Sequence, residues 1–444
     1  MRQIILLFVL VISIPSLAQN SATETRQNLD GASFTGEERW WRGNTHSHSW
    51  WSDGDAPPEL IADWYKEHGY HFLVISDHNT MKEGVKWYPI DAMLRPVEQL
   101  HYSYARYVER FGTDWVETRT GQVGREVKLK TLDEYSSLFE EPERFIFING
   151  EEITDSYSGL PMHANGINLV ELIEPQGGDD MRDTIQNNLD AVMAQSRRYG
   201  QPMLMHLNHP NFVWGQTPED FFYLEHDPGD GFFEMWNGHS SVRNYGDAYH
   251  VSIERMWDIV LSKRLGELDR SVIYGVAVDD AHEYAVWGIG ETNPGRGWVM
   301  VRSRWLTPNK ITEAIKRGDF YNSTGVFFSR LNIDEYGIDL AIEAQPGVEY
   351  TIEFIGTLKG ADLQGYPRDI PADYGAGENL NPHRVRYSAD VGQVLETFTG
   401  TAARYEVTGN EIYVRARVTS TQSHGNPFAE GDVEMAWTQP LVVN

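Results

Sequence analysis

Short apolar runs alternate with amphipathic helical patterns between residues 40 and 303. The apolar runs predict strands at 40–45, 70–75, 144–148, 162–169, 202–205, 231–235, 271–278 and 298–301. The helical patterns predict helices at 57–68, 181–199, 249–265 and 308–317. Because strands that alternate with helices are typical of parallel strands joined by helical crossovers, we predict an α/β fold. Seven or eight such units favour a barrel, and periodicity alone leaves an open sheet as the alternative.

Two regions depart from this alternation. Residues 81–143 follow the second predicted strand and look largely helical, most clearly at 93–111. An insertion at such a position usually lies over the active face of a barrel. After residue 327, alternating apolar and polar positions are separated by clusters of Gly, Pro and Asp. We therefore predict a barrel domain at 39–327, with the insertion at 81–143, and a β-sandwich-like domain at 328–444.

The N-terminus carries a targeting pattern. Arg2 is followed by an apolar run of about ten residues and by the small-residue exit Ser16-Leu17-Ala18. We predict a cleaved signal peptide at 1–18, a flexible polar lead-in at 19–38 and an exported protein, periplasmic or extracellular; the alternative is a buried N-terminal helix. The apolar run is too short to span a bilayer. No Cys follows it that could carry a lipid, so no membrane anchor is expected.

Composition narrows the classes of function. The 444 residues include 37 Lys and Arg against 65 Asp and Glu, a formal net charge of −28, and hydrophobic residues make up 41%. This apolar content is enough for a folded core, and the negative charge opposes binding of long nucleic acid through a basic face. The chain has no Cys, which excludes a disulfide scaffold, a Cys nucleophile, Cys-ligated zinc and an iron–sulfur cluster.

Histidine and acidic residues gather at the ends of the predicted strands. His46 and His48 end the first strand, and side chains two apart on an extended segment point to the same face. The other groups are Asp53, Asp77-His78, Gly150-Glu151-Glu152, His163, His206 with His209, and Asp279-Asp280-Ala281-His282. If the strands are parallel, nearly all of these groups meet at one end of the barrel, where such folds hold their active sites.

The chemistry of this set is that of a metal centre. Imidazole and carboxylate groups bind Zn²⁺, Mn²⁺ or Fe²⁺. Six His and three or four carboxylates exceed the needs of one catalytic ion, so we expect two or three closely spaced divalent ions. Such a cluster lowers the pKa of a bridging water and polarises a phosphoryl or carbonyl oxygen. The expected nucleophile is a metal-bridged hydroxide, which needs no Ser or Cys and agrees with the absence of a Gly-x-Ser-x-Gly motif.

These motifs resemble those of the PHP superfamily, named for polymerase and histidinol phosphatase. The matching pieces are Thr45-His46-Ser47-His48, Ser52-Asp53-Gly54, Ile75-Ser76-Asp77-His78-Asn79, Gly150-Glu151-Glu152-Ile153, Asn208-His209-Pro210 and Asp280-Ala281-His282. The resemblance covers about residues 40–325. It implies a distorted seven-stranded β/α barrel that holds two or three divalent metals and, in most members, hydrolysis of phosphate esters.

The resemblance also implies a role for each matching residue. The implied metal ligands are His46, His48, Asp53, His78, Glu152, His163, His209, Asp280 and His282. Within that set, Asp53, His209 and His282 are also predicted to be catalytic. Asp77 and Asp279 are predicted to orient His rings from behind. His206 is predicted to lie behind the ligands or in the core.

Two further segments refine the resemblance. Residues 298–325 and 436–440 are similar to larger, secreted PHP-like metallohydrolases, among them carbaryl-hydrolase-type enzymes whose substrates include carbamate esters.

Three residues are candidates for contact with the substrate. We predict that the substrate pocket is lined by Trp50, Trp51 and Asn237, with packing as the alternative for both Trp residues.

The hypotheses for function share the metal centre and differ in the substrate. We expect a secreted metal-dependent hydrolase whose partner is a small-molecule substrate, a small or medium-sized phosphate ester. The first alternative is hydrolysis of a carbamate, a carboxylic ester or an amide. The second is a metal- or carbohydrate-binding protein without catalysis, and a nuclease would be restricted to short oligonucleotides or nucleotides. The sequence carries no signal for the oligomeric state.

Overall fold

A computed structural model describes residues 38–92, 94–371, 374 and 381–443. The predicted signal peptide and nearly all of the predicted lead-in lie outside the described residues. From Arg39 onward the chain forms one compact unit. None of the helices in the described ranges is long and apolar enough to cross a membrane.

The helices occupy the positions where the sequence carries their signals. They are α1 Pro58–Glu67, α2 Val97–Phe111, α3 Leu132–Phe139, α4 Met181–Tyr199, α5 Glu219–Phe222, α6 Ile253–Gly266 and α7 Pro308–Lys316. In α4, the Asp180 side chain caps the first turn by accepting from Asp183 N at 2.7 Å. Gly200 ends this helix in the left-handed conformation, with φ of 63°. The four helices predicted outside the insertion are therefore confirmed.

The strands fall into a central part and a C-terminal part. The central strands are β1 Arg39–Asn44, β2 Phe72–Leu73, β3 Trp87–Pro89, β4 Thr118–Gly121, β5 Gly124–Lys128, β6 Ile146–Phe147, β7 Gly150–Tyr157, β8 Leu160–Ile167, β9 Leu204–Leu207, β10 Phe232–Asn237, β11 Tyr274–Val278, β12 Trp298–Ser303 and β13 Phe320–Ser323. The C-terminal strands are β14 Phe328–Asp334, β15 Gly337–Ile342, β16 Tyr350–Leu358, β17 Tyr366–Pro367, β18 Val385–Arg386, β19 Gln393–Thr399, β20 Ala402–Glu406, β21 Glu411–Ser423, β22 Val433–Thr438 and β23 Leu441–Val442.

Two sheets enclose the core beneath the candidate site. The run β12-β1-β2-β6 belongs to a ten-stranded sheet, and β11-β10-β9-β8-β7 form a five-stranded sheet. Trp41, Val74, Ile167, Val276 and Val299 from both sheets pack in one buried apolar cluster. Isolated bridges, Ser47 with Ala281 and His78 with Glu152, join the sheets just beyond the carboxyl ends of β1 and β2. The described strands thus form a mixed α/β fold with two facing sheets, and no single closed seven-stranded barrel of hydrogen-bonded strands is seen among them.

Strand direction differs in part from the prediction. The pairs β1–β2, β2–β6, β9–β10 and β10–β11 are parallel. β8 runs antiparallel to both β7 and β9, and β12 runs antiparallel to β1. The sequence did not predict β7 as a strand, because its residues Gly150–Tyr157 are mostly polar. That polarity has a structural reason, since Glu152 and Thr154 of this strand face the candidate site.

The insertion is only partly helical. It holds α2 and α3, as predicted, and also a small antiparallel sheet of β3, β5 and β4. The sheet strands are short and rich in charged residues, such as Arg119, Arg125 and Glu126, so the apolar alternation typical of strands is missing. The prediction of a largely helical insertion is therefore wrong for 87–89 and 118–128.

The C-terminal strands continue the large sheet. β22 pairs with β13, and β21, β16 and β19 follow in order, so the ten-stranded sheet extends across residues 327 and 328. β14, β15 and β20 form a separate three-stranded sheet. The β-rich character predicted after residue 327 is confirmed, and the domain boundary at that position stays a prediction.

Candidate metal centre

The nine predicted metal ligands come together where the two sheets are bridged. Their ligand atoms form four overlapping groups, and within each group the atoms lie within 4.8 Å of one another. The groups are His46, His209 and Asp280; His46, His48 and Glu152; His78, Glu152 and His163; and His48, Asp53, His78 and His282. We call the last set the outer group and the other three the inner groups.

The chain just beyond β1 places two His side chains on one face. His46 N donates to Asn44 Oδ1 at 2.8 Å, and Ser47 Oγ, on the opposite face, donates to Val74 O at 3.0 Å. The backbone then pairs with the segment after β11, because His48 N donates to Ala281 O at 2.9 Å and Asp280 N to His46 O at 3.0 Å. This pairing sets His46, His48 and Asp280 side by side.

The inner groups have the spacing of a cation site. His46 Nε2 lies 3.1 Å from His48 Nε2, and Asp280 Oδ1 lies 3.2 Å from each of these nitrogens. Ligand atoms at about 2.0–2.2 Å from a zinc ion lie roughly 3–4 Å from one another. The three atoms therefore have room for one ion between them.

Glu152 lies at the centre of the inner groups. Its Oε2 lies 2.9 Å from His78 Nδ1, 3.2 Å from His48 Nε2 and 3.4 Å from His46 Nε2. Its Oε1 lies 3.1 Å from His163 Nδ1 and 3.4 Å from His209 Nε2. His163 reaches the site from the first half of β8, which starts at this end because the strand is antiparallel. A carboxylate with both oxygens facing imidazoles has the geometry of a bridging ligand.

The outer group is the more accessible part of the centre. Asp53 Oδ1 lies 3.4 Å from His48 Nδ1, 3.6 Å from His78 Nε2 and 3.4 Å from His282 Nε2. The side chains of Asp53 and His78 are 51% and 28% exposed, whereas those of His46 and Glu152 are 0% and 1% exposed. The inner groups thus form the floor of the site, and the outer group lies at its mouth.

The electrostatics of the inner groups favour a bound cation. Burial alone lowers the pKa of His46, but the carboxylates of Asp280 and Glu234 outweigh it and raise that pKa well above its usual value. Burial alone raises the pKa of Glu152, but His78 and His46 lower it well below its usual range. Carboxylates therefore remain charged inside a buried site.

The ring of His46 shows that the donor set fits a metal. Its Nδ1 is 2.6 Å from Glu234 Oε1, so this nitrogen carries the proton that the pair shares. In the neutral ring, Nε2 then directs a lone pair toward Glu152 and Asp280, whose oxygens lie 3.4 and 3.2 Å away. A divalent ion would fit between that lone pair and the two carboxylates, in the place that a proton on Nε2 takes when the ring is charged. The residues present fit the metal that the motifs imply.

Two ligands stand on strained backbone. His209 has φ of 25° and Asp280 has φ of 50°, in the left-handed region that L-residues with side chains rarely adopt. His209 N is held by Glu234 Oε2 at 2.7 Å, and Asp280 N by His46 O at 3.0 Å. Such strain persists only where surrounding contacts fix it, and it clusters at functional sites.

The three residues predicted to support the ligands differ in what they contact. Asp77 accepts from Ser49 Oγ and Ser52 Oγ at 2.7 and 2.6 Å, so it fixes the loop that carries His48 and Asp53. Asp279 accepts from Tyr65 Oη at 2.8 Å and from the backbone of Arg296 and Gly297. His206 is fully buried behind His46, with Nδ1 3.6 Å from Glu234 Oε1. Among the described residues, neither Asp77 nor Asp279 hydrogen-bonds a His ring, so their predicted role in orienting rings has no contact to support it.

The predicted substrate contacts are buried. Trp50 is stacked on Tyr88, with ring centroids 5.0 Å apart, and is 0% exposed. Trp51 is also buried, and its Nε1 donates to Lys130 O at 3.1 Å. Both Trp residues therefore pack against the insertion. This is the packing role that was the alternative to lining the substrate pocket. Asn237 Nδ2 donates to Glu234 Oε2 and Asp280 Oδ2 at 2.7 and 3.1 Å, so it holds two carboxylates and has no exposed surface.

Sequence reasoning placed the segment 234–237 at the pocket but gave Glu234 no role in holding the ligands, and it gave none to three other polar residues. Glu234 touches His46 and His209, as described above. Thr154 Oγ1 lies 2.6 Å from His78 Nδ1, and Asn208 Nδ2 donates to Glu152 Oε1 at 2.7 Å. Asn165 Nδ2 donates to Thr45 O at 2.8 Å and so anchors the chain before His46. The one available signal was an acidic residue in the middle of the apolar run 232–236, because an unpaired buried carboxylate is costly.

Comparisons with known proteins give distant structural neighbours. No protein-family model and no curated protein matches the sequence. A crystal structure from Bacteroides vulgatus, of a two-domain protein described as containing a predicted PHP-like metal-dependent phosphoesterase, is 14% identical over 92% of this chain and 96% of that chain, with a TM-score of 0.35. A candidate metal-dependent phosphoesterase from Bifidobacterium adolescentis is 12% identical over 55% of this chain and 88% of that chain, with a TM-score of 0.24. The case for function therefore rests on the motifs and the geometry of the site.

Proposed function

We propose that this protein is a metal-dependent hydrolase of the PHP type, acting on phosphate esters. The observation that carries the proposal is the convergence of all nine motif residues into four overlapping ligand groups. These residues come from segments as far apart as His46 and His282 in the chain. Overlap matters, because Glu152 and His46 each belong to two groups or more, which is the arrangement of neighbouring ions that share ligands.

The residues divide between two or three divalent ions, which we propose to be Mn²⁺, Zn²⁺ or Fe²⁺. The inner groups would hold ions through His46, His209, Asp280, Glu152 and His163. The outer group would hold another through Asp53 and His282, with His48 and His78 facing both sides. Such ions, when bound, acidify water and polarise a phosphoryl or carbonyl oxygen.

The chain's own residues contribute orientation and access. Glu234 fixes the ring of His46 and the backbone of His209, and Asn237 fixes Asp280. These contacts are buried, so side chains of the protein itself fix the floor of the site. The exposed edge of Asp53 and His78 marks the side on which substrate enters. We further propose that the two sheets, which the bridges after β1 and β2 join, correspond to the distorted seven-stranded barrel that the motifs imply.

Activity and metal content of the full chain test the proposal together. We expect purified protein to contain more than one divalent ion per chain by elemental analysis. With Mn²⁺ or Zn²⁺ it should hydrolyse p-nitrophenyl phosphate or bis-p-nitrophenyl phosphate faster than 1-naphthyl acetate. A preference for the naphthyl ester would instead support the carbamate or carboxylic ester alternative. Protein with bound metal and no turnover of any ester would contradict the proposal and favour a binding protein.

Two adjacent glutamates provide a matched pair of variants. Glu152 faces five imidazoles, whereas Glu151 Oε1 accepts from Ile173 N at 2.6 Å on the other side of β7. Glu152→Gln should lose at least one ion per chain and at least about 100-fold in kcat, since a bridging ligand is removed. Glu151→Gln keeps an oxygen that accepts from Ile173, so it should retain metal content and activity. Equal loss in both variants would show a general packing effect.

A further inference from the structure

Two hydrogen-bond donors outside the ligand set border the outer group. One is Arg95, which the insertion supplies, and the other is His239, which follows β10. Both border His282: Arg95 pairs with the next residue, Glu283, and His239 packs on the His282 ring. His282 Nε2 in turn lies 3.4 Å from Asp53 Oδ1. The two donors thus lie at the mouth of the site, where substrate enters.

Arg95 is held in place with part of its guanidinium uncommitted. Its Nη1 donates to Glu283 Oε1 at 2.9 Å, and its Nε donates to the backbone oxygen of Asp53. Glu283 is itself fixed by Thr292 Oγ1 at 2.7 Å. Nη2 has no hydrogen-bond partner within the described ranges, and the side chain is 17% exposed. The ion pair therefore orients the guanidinium and leaves one nitrogen to donate to a ligand.

His239 presents a single ring proton next to the outer group. Its backbone N donates to Asn237 Oδ1 at 2.7 Å, and its Nδ1 accepts from Ser241 N at 3.1 Å. Because Nδ1 is an acceptor, the proton of the neutral ring is on Nε2. The ring lies edge-to-face with His282, at a centroid distance of 5.1 Å. No described residue accepts a hydrogen bond from Nε2.

These donors match an anionic ester better than a neutral one. A guanidinium pairs with phosphate oxygens through charge-assisted hydrogen bonds, and a carbamate or carboxylic ester offers no charge to pair with it. The ligands of the site are imidazoles and carboxylates, in a chain with a net charge of −28, so Arg95 adds a permanent positive charge that the ligands lack. We propose that Arg95 Nη2 and His239 Nε2 bind the non-bridging oxygens of the substrate's phosphate group. This inference rests on the proposed hydrolase function and selects phosphate esters as its substrate class.

Binding of inorganic phosphate to the metal-loaded full chain tests the proposal without turnover. In isothermal titration calorimetry, Arg95→Gln should weaken phosphate binding roughly 10- to 100-fold, because a hydrogen bond between charged groups is lost. His239→Phe keeps the ring packing and should weaken binding about 3- to 10-fold, because a neutral hydrogen bond is lost. For both variants, kcat/KM for p-nitrophenyl phosphate should fall by similar factors, and by clearly more than kcat/KM for 1-naphthyl acetate.

Matched controls come from the same insertion. Arg110 and His101 both lie on α2; Arg110 is 55% exposed and pairs with Asp63, and His101 pairs with Asp91. Arg110→Gln and His101→Phe should bind phosphate as the wild type does. Elemental analysis and thermal melting of each variant check that metal and fold are retained. If Arg95→Gln does not fold, Arg95→Lys keeps the charge but not the planar fork and should still weaken phosphate binding.

The outcomes separate this inference from the proposed function. Wild-type hydrolysis of phosphate esters, together with unchanged phosphate affinity in Arg95→Gln, Arg95→Lys and His239→Phe, would overturn the inference alone. Equal losses on phosphate and naphthyl substrates would also overturn it, because the residues would then act on the metal centre and not on the anion. Absence of metal or of any ester hydrolysis in the wild type would overturn the proposed function. If metal is bound and only ester hydrolysis is absent, phosphate calorimetry of the metal-loaded chain would still report on Arg95 and His239.

Discussion

His46 Nδ1 and Glu234 Oε1 lie 2.6 Å apart, and neither side chain has any exposed surface. The pair joins the end of β1 to the middle of β10, two strands in different sheets. Since Glu234 occupies Nδ1, the ring can offer only Nε2 to the inner groups. The ligand geometry of the centre thus depends on a carboxylate that is not itself among the predicted ligands.

Replacing Glu234 by Gln should weaken metal binding while leaving all nine ligands in place. Contacts of this kind typically contribute 10- to 100-fold in metal affinity, and we expect a loss of that size when Mn²⁺ or Zn²⁺ affinity is measured by competition with a chromophoric chelator. Glu225→Gln, at a carboxylate that is 79% exposed before β10, should leave the affinity unchanged. An unchanged affinity in Glu234→Gln would show that the contact does not orient His46.

Removal of metal should destabilise the protein. The buried carboxylates of Glu152 and Asp280 both face His46 Nε2, and ions that bind only the folded state add to its stability. Dialysis against EDTA should therefore lower Tm, and added Mn²⁺ or Zn²⁺ should restore it. Differential scanning fluorimetry measures both shifts. Glu152→Gln should show a smaller response to EDTA, and a response equal to that of the wild type would contradict the role of Glu152 as a ligand.

A buried ion pair connects α6 to the C-terminal strand β21. Arg415 Nε and Nη2 donate to Asp258 Oδ1 and Oδ2 at 2.9 and 2.8 Å, and the Arg415 side chain is 0% exposed. Removing one partner of a buried pair typically costs about 3–5 kcal/mol. We expect Arg415→Met to lose that much free energy of unfolding, measured by urea denaturation, and Arg415→Met with Asp258→Leu to recover part of it.

The matched control for this ion pair is Arg417, whose side chain is 27% exposed and pairs with Glu254 and Glu353. Arg417→Met should cost clearly less than Arg415→Met, because water can solvate the carboxylates that it leaves behind. A small effect of Arg415→Met would indicate that the C-terminal strands are only loosely coupled to α6.

Stability should fall as the solution is acidified from pH 7 toward pH 4. Burial and then the Arg264 guanidinium lower the pKa of His226 to about 4, and Arg264 Nη2 donates to His226 Nε2 at 2.7 Å. The folded-state pKa lies below the unfolded value of about 6.5. The contribution of neutral His226 is therefore present above that value and is lost as pH falls toward the folded pKa, by no more than about 1.4 kcal/mol per pH unit.

Urea midpoints between pH 7.5 and pH 4.5 check this dependence. His226→Gln should show a shallower fall than the wild type, because the residue no longer binds a proton on unfolding. Some slope should remain, since burial also lowers the pKa values of His71 and His383 to about 4. If the stability of His226→Gln falls with pH as steeply as that of the wild type, the contribution assigned to His226 would be contradicted.

Patterns within single segments of the sequence predicted the parts of the site that are encoded locally. His46 and His48 share a face because their spacing of two matches the period of extended chain. The helices that flank the central sheets could also be predicted from the sequence. Their apolar period and their capping residues, such as Asp180 and Gly200, lie within one segment.

Tertiary structure alone decided which distant residues support that site. Glu234 meets His46 across 188 positions of chain, and no local period records such a contact. The direction of β7 and β8, the sheet within the insertion and the burial of Trp50 against Tyr88 likewise depend on partners elsewhere in the chain. Hydrophobic periodicity reports which face of an element is buried. What that face is buried against is set by the packing of the whole chain.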